Sequence, residues 1–256
     1  MDSPVSILAR GSGRAIAYCR SEGKSPGVIF LPGFRSDMRG GKALALEAHC
    51  RRAGRAFVRF DYTGHGRSEG RFTDGTVGGW CADVLDVIDK LSVGPQVLVG
   101  SSMGGWLMLL AALARPQRIV GLVGVAAAAD FATRLMERRL DGPAHAALER
   151  DGIVYLPSAY SPEPTPVTKR LVEEARGHEL LKGRIPLHCP VRLIHGTADP
   201  DVPWQLSQEL MEKLESADVE LHLIKDGDHR LSSEHDLARL CRVVEEVCDL
   251  TEGRRV

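Results

Sequence analysis

The segment Gly100-Ser101-Ser102-Met103-Gly104 constrains this chain more than any other. It follows the apolar run Gln96-Val97-Leu98-Val99 and opens the helix-forming stretch Trp106-Leu107-Met108-Leu109-Leu110-Ala111-Ala112. A serine exposed on so tight a strand-to-helix turn must hold a strained backbone conformation. Side chains two residues before and after it would collide, which calls for glycine at both places. The N-terminus of the following helix supplies a positive dipole end where an oxyanion would form. A Gly-rich strand–helix turn without chemistry is the plainer alternative, and the flanking strand and helix argue against it.

The surrounding pattern is one of alternation. Apolar runs at 28–31, 56–60, 96–99, 119–125, 191–194 and 219–224 read as strands buried on both faces of a parallel sheet. Between them, 42–53, 80–91, 103–114, 204–215 and 234–249 carry helical periodicity. In the second of these, Trp80, Val84, Val87, Ile88 and Leu91 take one side, while Asp83, Asp86, Asp89 and Lys90 take the other. This predicts an α/β fold with a mostly parallel central sheet flanked by helices. Residues 130–186 break the rhythm. They show no convincing strand, only two helix-like segments around Pro157, Pro162, Pro164 and Pro166. They are expected to form a small helical cap inserted into a single domain spanning 1–256, the alternative being one long helical crossover with a loop.

A serine hydroxyl needs a base. Of the nine histidines, His229 is favoured, because it follows the last strand in a loop expected over the sheet's C-terminal edge. His195 is the rival, more readily explained as a packed strand-end residue. The acid that orients the imidazole is sought after the strand 191–194, at Asp199 or Asp201. Asp226 and Asp228 suit loop capping. Oxyanion donors are expected from the backbone N–H groups of Met103 and, after the strand 28–31, Phe34. Asp61-Tyr62-Thr63-Gly64-His65-Gly66-Arg67-Ser68 lacks the lysine of a phosphate loop and reads as a structural turn.

Bulk properties narrow the setting. A formal net charge of −1 gives no field for nucleic acid, and Arg138-Arg139 and Arg254-Arg255 read as solvated surface. The cysteines, at 19, 50, 81, 189, 241 and 248, form no Cys-x-x-Cys pair. They suggest reduced, mostly buried thiols, and no metal or organic cofactor is implied. The apolar region 107–129 is interrupted at Arg115-Pro116-Gln117-Arg118, so no membrane span is expected. With no basic-then-apolar leader, a cytoplasmic protein is the expectation, or a mitochondrial one if a transit peptide has been removed.

Together, Pro32-Gly33-Phe34, Asp61 to Ser68, Gly100 to Trp106, His195 to Trp204 and Gly227-Asp228-His229-Arg230 resemble the α/β-hydrolase superfamily across nearly the whole chain. The chain has Pro32-Gly33 where many members have His-Gly. A nearer likeness is to the mitochondrial branch described as palmitoyl-protein thioesterase and acyl-glucuronide esterase. It rests on Lys24-Ser25-Pro26-Gly27, Lys42-Ala43-Leu44-Ala45, Gly104-Gly105-Trp106-Leu107-Met108, Pro157-Ser158-Ala159-Tyr160-Ser161 and Val202-Pro203-Trp204. The resemblance implies a triad of Ser102, Asp199 and His229, in that chain order, with Asp199 preferred over Asp201 because it lies four residues beyond the strand-end histidine. It also implies a small-molecule or acyl-protein ester or thioester as substrate, hydrolysed through an acyl-enzyme. Leu135, Met136, Leu140, Leu148, Tyr155 and Leu156 are candidates to line an acyl pocket or simply to pack the cap. An amidase or peptidase on the same residues, or a non-catalytic binding protein on the same fold, are the rival expectations.

Overall fold

The computed structural model describes residues 4–11, 13–158 and 161–252. Ala159 and Tyr160 of the Pro157–Ser161 motif, and the Arg254-Arg255 pair, lie outside them. The main sheet contains β1 (Ser6–Leu8), β2 (Ile16–Ser21), β3 (Lys24–Leu31), β4 (Arg55–Phe60), β5 (Gln96–Ser101), β6 (Ile119–Val125), β9 (Val191–Gly196) and β10 (Val219–Ile224). Their order is β1-β2-β4-β3-β5-β6-β9-β10. All neighbours run parallel except β2, which is antiparallel to both β1 and β4. The sequence pattern foresaw six of these strands and missed β1 and β2. Those two are short or partly exposed at the sheet's edge and carry little apolar signal.

The apolar strands show why they read as continuous runs. Ile29, Leu31, Leu98 and Leu122 point into a core beneath α2 (Val77–Leu91), α3 (Met103–Ala114) and α6 (Gln205–Lys213). Val28, Phe30, Val97, Val99, Val123 and Val125 point the other way, into a core beneath α1 (Gly41–Arg52) and α7 (Glu234–Thr251). Strand side chains alternate faces, so when helices cover both faces every position is apolar. β10 is the exception. It is an edge strand with alternating exposure, and Leu223 is 42% exposed, contrary to the expectation of a strand buried on both faces.

The segment between β6 and β9 also departs from expectation. It contains a short π-helical stretch at 132–136, α4 (Gly142–Asp151), α5 (Lys169–Ala175) and an antiparallel hairpin of β7 (Ile153–Leu156) with β8 (Thr165–Thr168). The hairpin was hidden by proline. Pro166 sits within β8 opposite Tyr155, tolerated because a two-stranded ribbon leaves one side of each strand without a ladder partner. Leu140, Leu148, Val167 and Val172 form a small core of the segment's own.

Asp83 corrects the reading of α2. It is buried rather than solvated, and its carboxylate accepts hydrogen bonds from Thr63 N–H (2.7 Å) and Thr63 Oγ1–H (2.8 Å) and pairs with Arg10. It therefore ties the turn after β4 to a helix beneath the sheet. Replacing Asp83 with Ala strands those donors, and we expect a loss of about 3 kcal/mol of stability. Urea unfolding midpoints for the two proteins check this.

Candidate active site

β5 ends at Ser101 and α3 begins at Met103, so Ser102 occupies the turn between them, at φ 54° and ψ −119°. For a residue with a side chain this backbone region costs on the order of 1–3 kcal/mol and needs support from its surroundings. Ser102 N–H donates to Val125 O (2.9 Å), and Ser102 O accepts from Gly105 N–H (2.9 Å) and Ala128 N–H (3.0 Å). The flanking glycines are sterically required. A Cβ on Gly100 would stand 2.4 Å from Gly104 O, and one on Gly104 would stand 2.1 Å from Leu31 O.

The loop after β3 lies directly against this turn. A Cβ on Gly33 would meet Ser102 Cβ at 3.4 Å. Tyr62 Oη–H donates to Pro32 O (3.1 Å), and Arg35 N–H donates to His65 Nε2 (3.3 Å). Phe34 is held by its ring against Phe72, Trp80 and Phe131 at centroid distances of 4.9, 5.8 and 5.4 Å. Met103 is the first residue of α3, and a helix offers no internal acceptor for its first N–H. The two backbone N–H groups expected as oxyanion donors thus belong to adjoining segments.

The stretch 61–68 is a turn, and it does more than turn the chain. Asp61 accepts from Met38 N–H (2.7 Å) and Arg67 N–H (2.8 Å), and His65 braces the Phe34 loop through Arg35. Burial pushes His65 down to about 4, against the opposing pull of its hydrogen bond to Thr63 O. The ring is therefore neutral near pH 7, with Nδ1–H directed at Thr63 O (3.4 Å) and Nε2 free to accept.

The other two elements come from the far side of the sheet. Beyond β9 and β10 the two loops touch. A Cβ on Gly196 would stand 2.1 Å from Gly227 O, and Ala198 N–H donates to that same oxygen (3.0 Å). This contact sets Asp199 beside His229, whose Nδ1–H donates to Asp199 Oδ2 at 2.8 Å. Asp199 Oδ1 accepts from Asp201 N–H (2.8 Å) and Val202 N–H (2.9 Å). Burial alone would raise the Asp199 carboxyl. Hydrogen bonds from His195 and His229 and the nearby His229 charge outweigh it and hold the group well below the usual carboxylate range. Asp228 caps its own loop by accepting from Leu231 N–H (2.8 Å), and the Lys42 amine, pushed down to about 8 chiefly by burial, donates to Arg230 O.

Ser102 and His229 line one cavity of about 650 Å³. Its lining includes the apolar Phe34, Phe131, Leu135, Met136, Leu156 and Val202 and the polar Ser36, Asp37, Lys42 and Arg230. Of the residues considered for an acyl pocket, Leu135, Met136 and Leu156 line the cavity, Leu140 and Leu148 pack the inserted segment, and Tyr155 is exposed. His195 is fully buried beneath Asp199 and does not line the cavity. Asp199, Asp201 and His229 bring ligand atoms within 4.8 Å of one another. His229 Nδ1 and Asp199 Oδ2 already share a proton, however, which is the chemistry of a carboxylate–imidazole pair rather than of a metal centre.

Two arginines clasp the inserted segment to both loops. Arg35 Nη1–H donates to Pro164 O (3.0 Å) and Thr165 Oγ1 (3.2 Å). Arg139, expected as solvated surface, donates to Asp201 O (2.6 Å) and pairs with the Asp201 carboxylate at 3.6 Å. Lone arginines carry no positional signal in one sequence, and neither does the bracing role of His65.

The Alpha/beta hydrolase family model matches residues 28–243. The mitochondrial palmitoyl-protein thioesterase ABHD10 of Bos taurus is 44% identical over 247 residues, covering 96% of this chain and 80% of that protein. The structure of alpha/beta hydrolase domain-containing protein 10 from mouse superposes with a TM-score of 0.89 at 42% identity, covering 96% of this chain and 99% of that one. A protein of Agrobacterium vitis S4 superposes at 0.91 with 38% identity, covering 96% and 98%. The ABHD10 relatives are named mitochondrial, the alternative weighed beside the expectation of a cytoplasmic protein. Among the described residues no helix is long and apolar enough to cross a membrane.

Two outcomes are expected of the turn and its brace. Gly104→Ala must displace the end of β3, and we expect it to cost about 3 kcal/mol, measured by thermal or urea unfolding. His65 has a folded pKa of about 4 against an ordinary 6.5. Its contribution to stability is present above pH 6.5 and lost as pH falls through 4. This amounts to about 3 kcal/mol. The urea midpoint of the wild type should fall over that interval relative to His65→Gln, which cannot titrate; parallel curves would contradict the neutral, accepting ring.

Proposed function

The chain belongs to the alpha/beta hydrolase family, and from that premise we propose that it is a serine hydrolase cleaving carboxylic esters and acyl thioesters through an acyl-enzyme on Ser102. One observation carries the reading: a serine at positive φ on the strand–helix turn lines the same cavity as an imidazole that is hydrogen-bonded, through its far nitrogen, to a buried carboxylate.

The steps follow from those residues. Asp199 fixes His229 with Nδ1 protonated, which leaves Nε2 as the basic nitrogen. Nε2 takes the Ser102 proton as the oxygen attacks the acyl carbonyl. The backbone N–H groups of Met103 and Phe34 stabilise the tetrahedral oxyanion. The imidazolium returns its proton to the departing alcohol or thiol, then draws a proton from water as the water attacks the acyl-enzyme. The low basicity of Asp199 keeps it an anion throughout, so it stabilises the imidazolium electrostatically without taking the proton. Segment 130–186 acts as a cap, and its Leu135, Met136 and Leu156 give the acyl chain an apolar wall. The thioester half of the proposal is supported by the name of a thioesterase that is 44% identical to this chain over 247 aligned residues.

The test uses p-nitrophenyl esters, acyl thioesters and anilides of graded chain length, with a serine-reactive fluorophosphonate. Expected are labelling at Ser102 and a loss of at least about 10³-fold in kcat in Ser102→Ala and His229→Ala. The value of kcat/KM should rise up to about fourfold per added methylene until the apolar lining is covered, since each buried CH₂ contributes about 0.8 kcal/mol. Anilides cleaved as fast as esters would shift the reading to an amidase. Absence of both labelling and turnover would favour a binding protein.

A further inference from the structure

His195 lies at the end of β9 with none of its surface exposed. Nε2 faces Val202 O at 3.0 Å and Asp199 Oδ2 at 3.2 Å. A carbonyl and an ionised carboxylate only accept, so Nε2 must carry a hydrogen. Nδ1 faces the Ser207 hydroxyl at 2.6 Å, from the first turn of α6. The hydrogen at Nε2 is thus required by the 199–202 loop, and Ser207 holds the other end of the ring through Nδ1.

Asp199 Oδ2 is the oxygen that receives His229 Nδ1–H. Its second lone pair is directed to His195 Nε2–H, while Oδ1 is held by the N–H groups of residues 201 and 202. Both oxygens of this buried carboxylate are therefore engaged, and of its two histidine partners only His229 lines the cavity. We propose that His195 is a positioning residue for the hydrolytic reaction: with its ring anchored on Ser207 and its Nε2–H on Asp199, it fixes the orientation of Asp199 and limits how strongly that carboxylate binds the imidazolium of His229. This deepens the proposed function and rests on its assignment of Asp199 as the acid. The physical consequence is direct. A second N–H on the same oxygen draws off electron density and makes it a poorer acceptor for His229. With His195 in place the imidazolium is held firmly enough to form and loosely enough to give its proton to the leaving group. Other charged groups at this place are Asp201, whose carboxylate is paired with Arg139 of the cap, and the Lys42 amine on Arg230 O, and both remain unchanged in the variants below.

The experiment compares His195→Phe, which keeps a ring but no donor, with His195→Gln, whose amide N–H reaches a similar point. His195→Phe should lower kcat roughly 10- to 100-fold with KM little changed, and it should move the acid limb of the kcat/KM profile to higher pH. His195→Gln should restore the wild-type limb and most of the rate. Long-range ¹H–¹⁵N spectra of the wild type should show His195 carrying a hydrogen at Nε2, a readout independent of whether either variant folds. An Nδ1–H tautomer, or a folded His195→Phe protein with an unmoved pH profile, overturns the inference. Ser102→Ala in the same series separates the two claims: full activity there rejects the triad itself, whereas its loss together with an unmoved His195→Phe profile rejects only the role of His195.

Discussion

Backbone meets backbone at the C-terminal ends of β3 and β5, and the site is built around that contact. Gly104 approaches Leu31 O and Pro32 O more closely than any side chain would allow, and Gly33 rests on Ser102. Because the strand, the helix and the loop touch without intervening side chains, the serine and both expected oxyanion donors are placed by main-chain geometry. Rotamer choice plays no part. The unfavourable φ of Ser102 is held by hydrogen bonds to Val125 in β6, Gly105 in α3 and Ala128 in the loop after β6. Strain at the turn is thus a by-product of sheet closure.

The second half of the site solves a different problem, a buried negative charge. The Asp199 side chain has no exposed surface, and a carboxylate in that position is costly unless its oxygens are bonded. Here N–H groups of two histidines and of two backbone amides converge on it. They keep it ionised, and they also remove its freedom to turn. Again a glycine contact makes this feasible, since Gly196 against Gly227 O brings the acid loop and the histidine loop within reach of each other.

These two halves come from separate parts of the sheet, and the segment between β6 and β9 spans them. Arg35, next to Phe34, holds one part of that segment, and Arg139, from the same segment, holds Asp201, two residues from Asp199. The arrangement couples the covering of the cavity to both loops beneath it. The segment also contributes Phe131, Leu135 and Met136 to the cavity's lining.

Periodicity and motif spacing alone determined the parallel strands, the principal helices and the serine turn. Each depends on local rules: faces covered by helices make runs of apolar residues, and a tight turn demands glycine at fixed offsets. The candidate base was legible for the same reason, being a histidine just beyond a strand, and the acid was narrowed to two neighbours on one loop. The edge strand β1, its neighbour β2 and the proline-bearing hairpin were not legible, because they have little apolar pattern of their own and are defined by their partners. Nor were the inward turn of Asp83, the brace at His65, the clasps of Arg35 and Arg139, or the contact of His195 with Asp199. Each of these joins residues distant in sequence or converts a polar side chain from surface to interior. Whether a polar group meets water or a buried partner is decided only when the chain has closed around it, and that was left to the tertiary structure.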